Sequence, residues 1–262
     1  MKKITLSIVL TLILILSTVG IASAITDGEP DGNAHPYVGL MIAQDENGDP
    51  MWRCSGTLLS ETVFLTAGHC TEAPAAHVEI WFYNNEADIR ANGYPYTGQV
   101  GGTPYVHPDF YTASFVVHDV GVVVLDEPYP MAEYGVLPEL NQLDKLKTKR
   151  GKQDVTFTAV GYGLQKINPV FEERALNRMV ATPHLLQINV PGYTGDFSLL
   201  LSNNHSTGGT CFGDSGGPNF LGDSNIVAGV TSFGINGNCA GTGGVFRMDR
   251  ADALDFVMPF LD

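Results

Sequence analysis

Short apolar, β-branched segments separated by turn signals constrain the fold of this 262-residue chain more than any other feature. Such segments are typical of β-strands, and Asn-Gly pairs such as Asn47-Gly48 are typical of the turns between them. A short helix is expected near the C-terminus, with Asp249 as its capping residue. Many short strands with one helix indicate an all-β barrel or sandwich. The strands are predicted at Tyr37–Ala43, Cys54–Leu59, Val63–Ala67, Val78–Tyr83, Val120–Leu125, Val155–Tyr162 and Ile226–Phe233.

The first 24 residues have the composition of a secretory signal peptide. Lys2 and Lys3 precede a long uncharged run rich in Leu and Ile, which reaches Ala22-Ser23-Ala24, a small-x-small cleavage pattern. The alternative is an uncleaved membrane anchor, because the run is long enough to span a bilayer. The cleavage pattern favours removal after Ala24 and a secreted product.

The charge balance excludes several kinds of partner. The chain has 14 Lys and Arg against 28 Asp and Glu, a net charge of −14, and removal of Lys2 and Lys3 makes it more negative. Such a surface repels phosphate backbones and anionic lipids, so we expect no nucleic acid and, after signal cleavage, no membrane partner. A basic segment, Lys145 to Arg150, is interpreted as a solvated linker between two halves rather than as an anion site.

The four cysteines are expected to form two disulfides, because the chain is exported. Three connectivities are possible, and we expect the one that joins cysteines local in sequence, Cys54–Cys70 and Cys211–Cys239. Zinc binding is the competing use of these thiols, but the chain has no C-x-x-C pair.

The segment from Gly213 to Pro218, Gly-Asp-Ser-Gly-Gly-Pro, presents Ser215 in a tight turn. Glycines there leave the hydroxyl uncovered and free backbone N–H groups to face a developing oxyanion. An ordinary glycine-rich turn is the alternative. The segment also matches the G-x-S-x-G elbow of α/β-hydrolases, in which the histidine follows the serine. The last histidine here is His205, so a catalytic base has to lie upstream of Ser215.

His69 is the best candidate for that base. It ends an apolar strand, and its neighbour Cys70 is expected to be fixed by a disulfide, which would hold the imidazole still. Asp119 precedes the buried strand Val120–Leu125, where a carboxylate needs a partner such as an imidazole N–H. The adjacent His118 projects to the opposite face of the strand.

Three motifs follow one another so that histidine, aspartate and serine occur in this order. They are Cys54–Leu59 with Leu65–Cys70, then His118–Gly121, then Gly213–Pro218. In sequence and order they closely resemble the trypsin/chymotrypsin family. The resemblance implies two six-stranded antiparallel β-barrels, at residues 25–140 and 141–262, with the active site between them and a short C-terminal helix. It also implies that Ser215 attacks the scissile carbonyl, His69 transfers the proton, Asp119 orients the imidazole, and the N–H groups of Gly213 and Ser215 form the oxyanion hole.

The same resemblance implies a substrate pocket and an activation contact. Gly209 would lie at the base of the pocket, and an open, uncharged pocket of this kind favours apolar or aromatic P1 side chains. Asp214 would pair with an ammonium at Ile25, freed by signal-peptide cleavage without a separate propeptide. The implied pocket walls are Ser232, Phe233, Gly234 and Gly244.

We therefore expect a secreted, monomeric serine endopeptidase that acts on protein or peptide substrates and requires no metal or other cofactor. One alternative is an inactive binding module on the same fold, which would have a damaged triad or oxyanion hole. The other is a serine esterase, because acyl transfer from esters uses the same groups.

Overall fold

The computed structural model describes residues 25–110, 117–146, 153–168 and 171–261. The expected signal peptide at residues 1–24 lies outside the described residues, as do Lys147, Lys149 and Arg150 of the expected linker. Within the described ranges, every helix is too short or too polar to cross a lipid bilayer.

The described residues form sixteen β-strands, three short α-helices and two 3₁₀ turns, at Gln142–Lys145 and Met258–Phe260. The helices are α1 (Gly68–Thr71), α2 (Glu86–Ala91) and α3 (Ala251–Val257). The strands are β1 (Glu29–Pro30), β2 (Val38–Gln44), β3 (Pro50–Leu58), β4 (Val63–Thr66), β5 (His77–Trp81), β6 (Val100–Val106), β7 (Gly121–Leu125), β8 (Phe157–Gly161), β9 (Lys166–Asn168), β10 (Phe171–Glu173), β11 (Met179–Ala181), β12 (Leu185–Val190), β13 (Gly195–Asn203), β14 (Pro218–Leu221), β15 (Val227–Gly234) and β16 (Gly241–Arg247).

The first half of the chain forms a closed six-stranded barrel in the order β2-β3-β4-β7-β6-β5. Its strands are rich in Val, Ile and Leu, and their inward side chains are fully buried. Gly39 and Gly56 lie opposite each other on β2 and β3. A Cβ at Gly56 would lie 2.3 Å from the ring of Phe64, so the absence of a side chain there makes room for that ring.

The second half forms a curled eight-stranded sheet in the order β1-β11-β8-β14-β15-β16-β13-β12, where a second six-stranded barrel was expected. The N-terminal strand β1 is an additional member, because Glu29–Pro30 pairs with β11 at one edge. Shortly before this strand, Ile25 is buried and packs against Ala159, Met179 and Ala181 of the second half.

The all-β fold class with a short C-terminal helix is confirmed. Each of the seven predicted segments overlaps one observed strand. The prediction that Asp249 caps the last helix was wrong, because Arg250 precedes α3 as its N-cap. Asp249 is instead buried, where it pairs with Arg247 at 2.8 Å and accepts a hydrogen bond from the Leu143 N–H.

Candidate active site

The imidazole of His69 is fixed by a buried carboxylate. His69 lies in the one-turn helix α1, directly after β4, and its Nδ1 is 2.9 Å from Oδ2 of Asp119. The backbone N–H of His69 also donates to Oδ1 of Asp119, at 2.9 Å. Burial disfavours the charged imidazole, but the charge and the hydrogen bond of Asp119 outweigh that effect, so the pKa of His69 is raised.

Asp119 is fully buried and accepts a further hydrogen bond. Ser232 Oγ donates to its Oδ2 at 2.5 Å, so donors from β15 and from α1 converge on one carboxylate. A buried charge needs such donors, which compensate for the water it loses. From the sequence, Ser232 was expected only as a wall of the substrate pocket, and no motif indicated its contact with Asp119.

The loop that carries Ser215 is held against the first barrel by Ser55 on β3. The Ser55 N–H donates to the carbonyl of Ser215 at 2.8 Å, and its Oγ donates to the carbonyl of Gly213 at 2.9 Å. Gly216 has a φ of +76°, and a Cβ there would lie 2.0 Å from Oγ1 of Thr66. The loop therefore requires glycine at this position. Sequence reasoning missed Ser55.

Ser215 and His69 line the same cavity of about 320 Å³. No hydrogen bond joins their side chains in this structure. In serine–histidine pairs this contact is often long until substrate binds. The N–H groups of Gly213 and Ser215 donate to no acceptor among the described residues, which leaves both free to bind a substrate oxygen.

Asp214 is a buried carboxyl behind this loop. Its Oδ1 accepts from the Gly163 N–H at 2.7 Å and its Oδ2 from the Cys211 N–H at 2.9 Å. Burial raises the pKa of Asp214 to about 7, although these two hydrogen bonds and the nearby charge of Arg53 oppose the shift. Within the part of the chain that the structure describes, no cationic group forms an ion pair with Asp214.

The cavity has a polar floor that the sequence did not reveal. Asn203, at the end of β13, donates from its Nδ2 to the carbonyl of Thr210 and accepts from Thr26 Oγ1 at 2.8 Å. A Cβ at Gly209 would lie 2.3 Å from the Asn203 side chain, so the amide occupies the space beside this glycine. Asn203 and Thr210 line the cavity, and Gly209 does not.

The remaining expected pocket residues divide in the same way. Ser232, Phe233 and Gly234 line the cavity. Gly244 does not, because the ring of Phe233 covers it, and a Cβ at Gly244 would lie 2.4 Å from that ring. The structure forms both disulfides at the edges of the site, Cys54–Cys70 beside His69 and Cys211–Cys239 beside the cavity.

A second histidine cluster lies next to Asp119. His118 adopts a φ of +52°, its Nδ1 is 2.7 Å from Oδ2 of Asp252 on α3, and its ring stacks on that of His107. His107 Nδ1 in turn accepts from the Asp109 N–H. Asp252 therefore links helix α3 to His118, the residue directly before Asp119.

Comparisons with known proteins find relatives that are named as serine proteases. The venom serine protease Bi-VSP of Bombus ignitus is 26% identical over 221 residues, which are 80% of this chain but only 60% of that protein. Serine protease 1 of Drosophila melanogaster is 28% identical over 227 residues, 84% of this chain and 78% of the relative. A solved structure of HL collagenase shares the fold with a TM-score of 0.69 at 19% identity, over 90% of this chain and 97% of that chain.

A family model described as Trypsin matches residues 25–252, which is most of the chain and includes every residue of the site. The chain therefore belongs to the trypsin family, a family of serine-type endopeptidases.

Proposed function

We propose that this chain is a secreted serine endopeptidase that hydrolyses peptide bonds through an acyl-enzyme intermediate. The observation that carries the proposal is the buried Asp119, held 2.9 Å from Nδ1 of His69, in a site where His69 and Ser215 line one cavity. Secretion is supported by two disulfides, which persist in oxidising compartments. We expect a monomer that acts on protein or peptide substrates and has no membrane contact after signal cleavage.

The proton relay follows from the hydrogen bonds of His69. Because Nδ1 faces a carboxylate, it carries the proton in the neutral ring, and Nε2 is left as the acceptor. Ser215 Oγ bonds to the scissile carbonyl carbon while Nε2 takes the hydroxyl proton. Nε2 then gives that proton to the leaving amine as the C–N bond breaks, and water repeats the sequence on the acyl-enzyme. Asp119 stabilises the imidazolium in both acylation and deacylation. The same interaction raises the pKa of His69.

The oxyanion that forms on the carbonyl oxygen would be bound by the N–H groups of Gly213 and Ser215. Both are free of other acceptors, and the carbonyl groups of the same two residues are held by Ser55. Donors fixed in advance stabilise the transition state without reorganisation, and losing one typically lowers the rate by roughly 10²–10³.

We propose an uncharged, apolar or aromatic P1 side chain, such as Phe, Tyr, Leu or Met. The described residues that line the cavity include no Asp, Glu, Lys or Arg. The walls at Phe233 and Gly234 offer an apolar surface, while Asn203 has both ends of its amide engaged and so presents little unsatisfied polarity.

We further propose that cleavage after Ala24 matures the enzyme. Ile25 is fully buried in the second half, and Asp214 is a buried carboxyl that forms no ion pair among the described residues. A new ammonium at Ile25 would supply a cation. The two halves, residues 25–140 and 141–262, would then present the site between them.

The proposal is tested on protein purified from the medium of an expressing host. A fluorophosphonate probe should label the wild-type chain stoichiometrically and should not label Ser215→Ala, and N-terminal sequencing should read Ile25 first. A correctly folded protein that resists the probe would identify an inactive binding module instead. A peptide library read by mass spectrometry gives the P1 preference, and cleavage confined to sites after Lys or Arg contradicts the proposed pocket.

A further inference from the structure

A second cavity adjoins the loop that carries Ser215, on the side away from the proposed substrate pocket. It encloses about 680 Å³ and borders Phe212 and Gly213. Phe212 also lines the first cavity, so this residue separates the two. The second cavity touches none of the walls Ser232 to Gly234.

Arginines dominate the charged lining of this cavity. Arg53, Arg90 and Arg174 line it, against a single acid, Glu172. The chain as a whole has 14 basic residues against 28 acids, so a positive lining runs against the overall charge. The cavity therefore favours anionic groups.

The three arginines differ in what already binds them. Arg90 pairs with Glu86 at 2.6 Å, and Arg174 pairs with Glu172. Arg53 forms no ion pair and donates no side-chain hydrogen bond among the described residues. Arg53 is therefore the guanidinium that is available to a ligand, and it is only half-buried on β3.

Arg53 also lies against the reacting centre. A Cβ built on Gly213 would lie 2.9 Å from Nε and 3.0 Å from Nη2 of Arg53. The adjacent Cys54 is bonded to Cys70, the neighbour of the histidine that protonates the leaving amine. In the proposed function, a peptide whose P1 side chain fills the first cavity has its carbonyl oxygen at the N–H of Gly213. The residues after the scissile bond would then extend past Gly213 into the second cavity, which Gly213 and Arg53 both line.

We propose that Arg53 is a specificity-determining residue, which binds a carboxylate side chain on the leaving-group side of the scissile bond. The preferred substrates then carry Asp or Glu within the first three residues after the cleaved bond. Guanidinium groups bind carboxylates through two parallel hydrogen bonds, and this geometry suits a free arginine at the wall of a cleft. The inference rests on the proposed endopeptidase function, because it requires a peptide in that site.

The test uses quenched fluorogenic peptides with one P1 residue from the proposed apolar set. Each pair differs only by Glu or Gln at the first, second or third position after the scissile bond, which changes charge at nearly constant shape. The wild-type enzyme should cleave the Glu peptide with a kcat/KM about tenfold higher at one of these positions, as expected for a hydrogen bond to a charged group. The ratio should fall as salt is added.

Variants then assign that ratio to a residue. Arg53→Gln should bring the Glu-to-Gln ratio close to one, and Arg53→Glu should reverse it. Arg53→Lys should keep part of it, because the charge remains while the planar fork is lost. The matched control is Arg90→Gln, which removes the same charge from the same cavity but from an arginine that is already paired; it should keep the ratio within about twofold.

Three outcomes separate the claims. A ratio of one at all three positions in the wild-type enzyme overturns the inference while leaving the endopeptidase intact. A ratio that survives Arg53→Gln, or that Arg90→Gln lowers equally, also overturns the assignment to Arg53. Failure to cleave any peptide, together with failure of the phosphonate probe, overturns the proposed function and this inference with it.

Discussion

The buried carboxyl of Asp214 should make the stability of the protein depend on pH in a form of the chain that keeps Ala24 in front of Ile25. Its pKa is about 7 in the folded protein, against 3.8 for the free group. A folded-state pKa above the unfolded value gives stability that is complete at low pH and is lost as the pH rises. The full loss above pH 7 is about 4 kcal/mol, and about 3 kcal/mol of it falls between pH 5 and pH 8.

Cleavage before Ile25 should remove most of this pH dependence. The new ammonium favours the ionised carboxylate and lowers the pKa of Asp214, so the mature form should lose about 1 kcal/mol or less over the same range. Both forms are prepared in the Ser215→Ala background to prevent self-digestion. Their free energies of unfolding are measured by denaturant titration at pH 5 and pH 8.

Asp214→Asn is the matched control, because it keeps the shape and cannot ionise. One of the two backbone donors, Gly163 or Cys211, then loses its acceptor, and that penalty does not depend on pH. The uncleaved form with Asn should therefore show no extra loss between pH 5 and pH 8. The reasoning is refuted if the uncleaved chain with Asp214 is equally stable at both values, or if the Asn variant keeps the same slope.

Three further substitutions follow from the site. Asp119→Asn should lower kcat by roughly 10⁴ with little change in KM, because the amide favours the wrong tautomer of the His69 imidazole. Steady-state and stopped-flow kinetics measure the loss of kcat, and a loss below about tenfold contradicts the role assigned to Asp119. Gly216→Ala should destabilise the fold by at least about 3 kcal/mol in chemical unfolding, because its Cβ would lie 2.0 Å from Thr66 Oγ1 at a positive φ; a stable, active variant would disprove the stated strain. Replacing Cys54 and Cys70 by Ala should lower the unfolding free energy by about 3 kcal/mol, measured in the same way, and an unchanged midpoint would show that the bond is dispensable.

The sequence predicted those parts of the molecule that are local in the chain. The seven strands were visible because each is a continuous apolar segment with its own turn signals, and each overlaps an observed strand. His69 comes shortly after one such strand and Asp119 shortly before another, and the structure brings Nδ1 of His69 within 2.9 Å of Oδ2 of Asp119. Ser215 was marked by its glycines. The positive φ of Gly213 and Gly216 is a local requirement, whereas the close contact between Gly216 and Thr66 depends on distant packing.

The parts that escaped prediction depend on contacts between distant segments. Ser55 and Ser232 are ordinary strand residues in sequence, and only the packing of β3 and β15 onto the site turns their hydroxyls toward Gly213 and Asp119. The edge strand β1 is two residues long, too short for any periodic signal. Arg53 likewise had no motif, because its significance comes from its position beside Gly213 and from its lack of an ion-pair partner among the described residues.

The hydrogen bonds of the cavity floor would join the proposed maturation to the proposed substrate pocket. Thr26 follows the proposed new N-terminus directly, and its Oγ1 donates to the same Asn203 whose amide nitrogen holds the carbonyl of Thr210. The Thr26 carbonyl also accepts from the Gly209 N–H at 3.0 Å, so this segment forms one wall of the network that supports the pocket. Because Asn203 is almost fully buried, the loss of either of its hydrogen bonds would leave an unsatisfied polar group and would lower the free energy of unfolding. Any rearrangement of the segment around Ile25 therefore acts on the pocket floor as well as on Asp214, and the two elements are expected to order together when the N-terminus is freed.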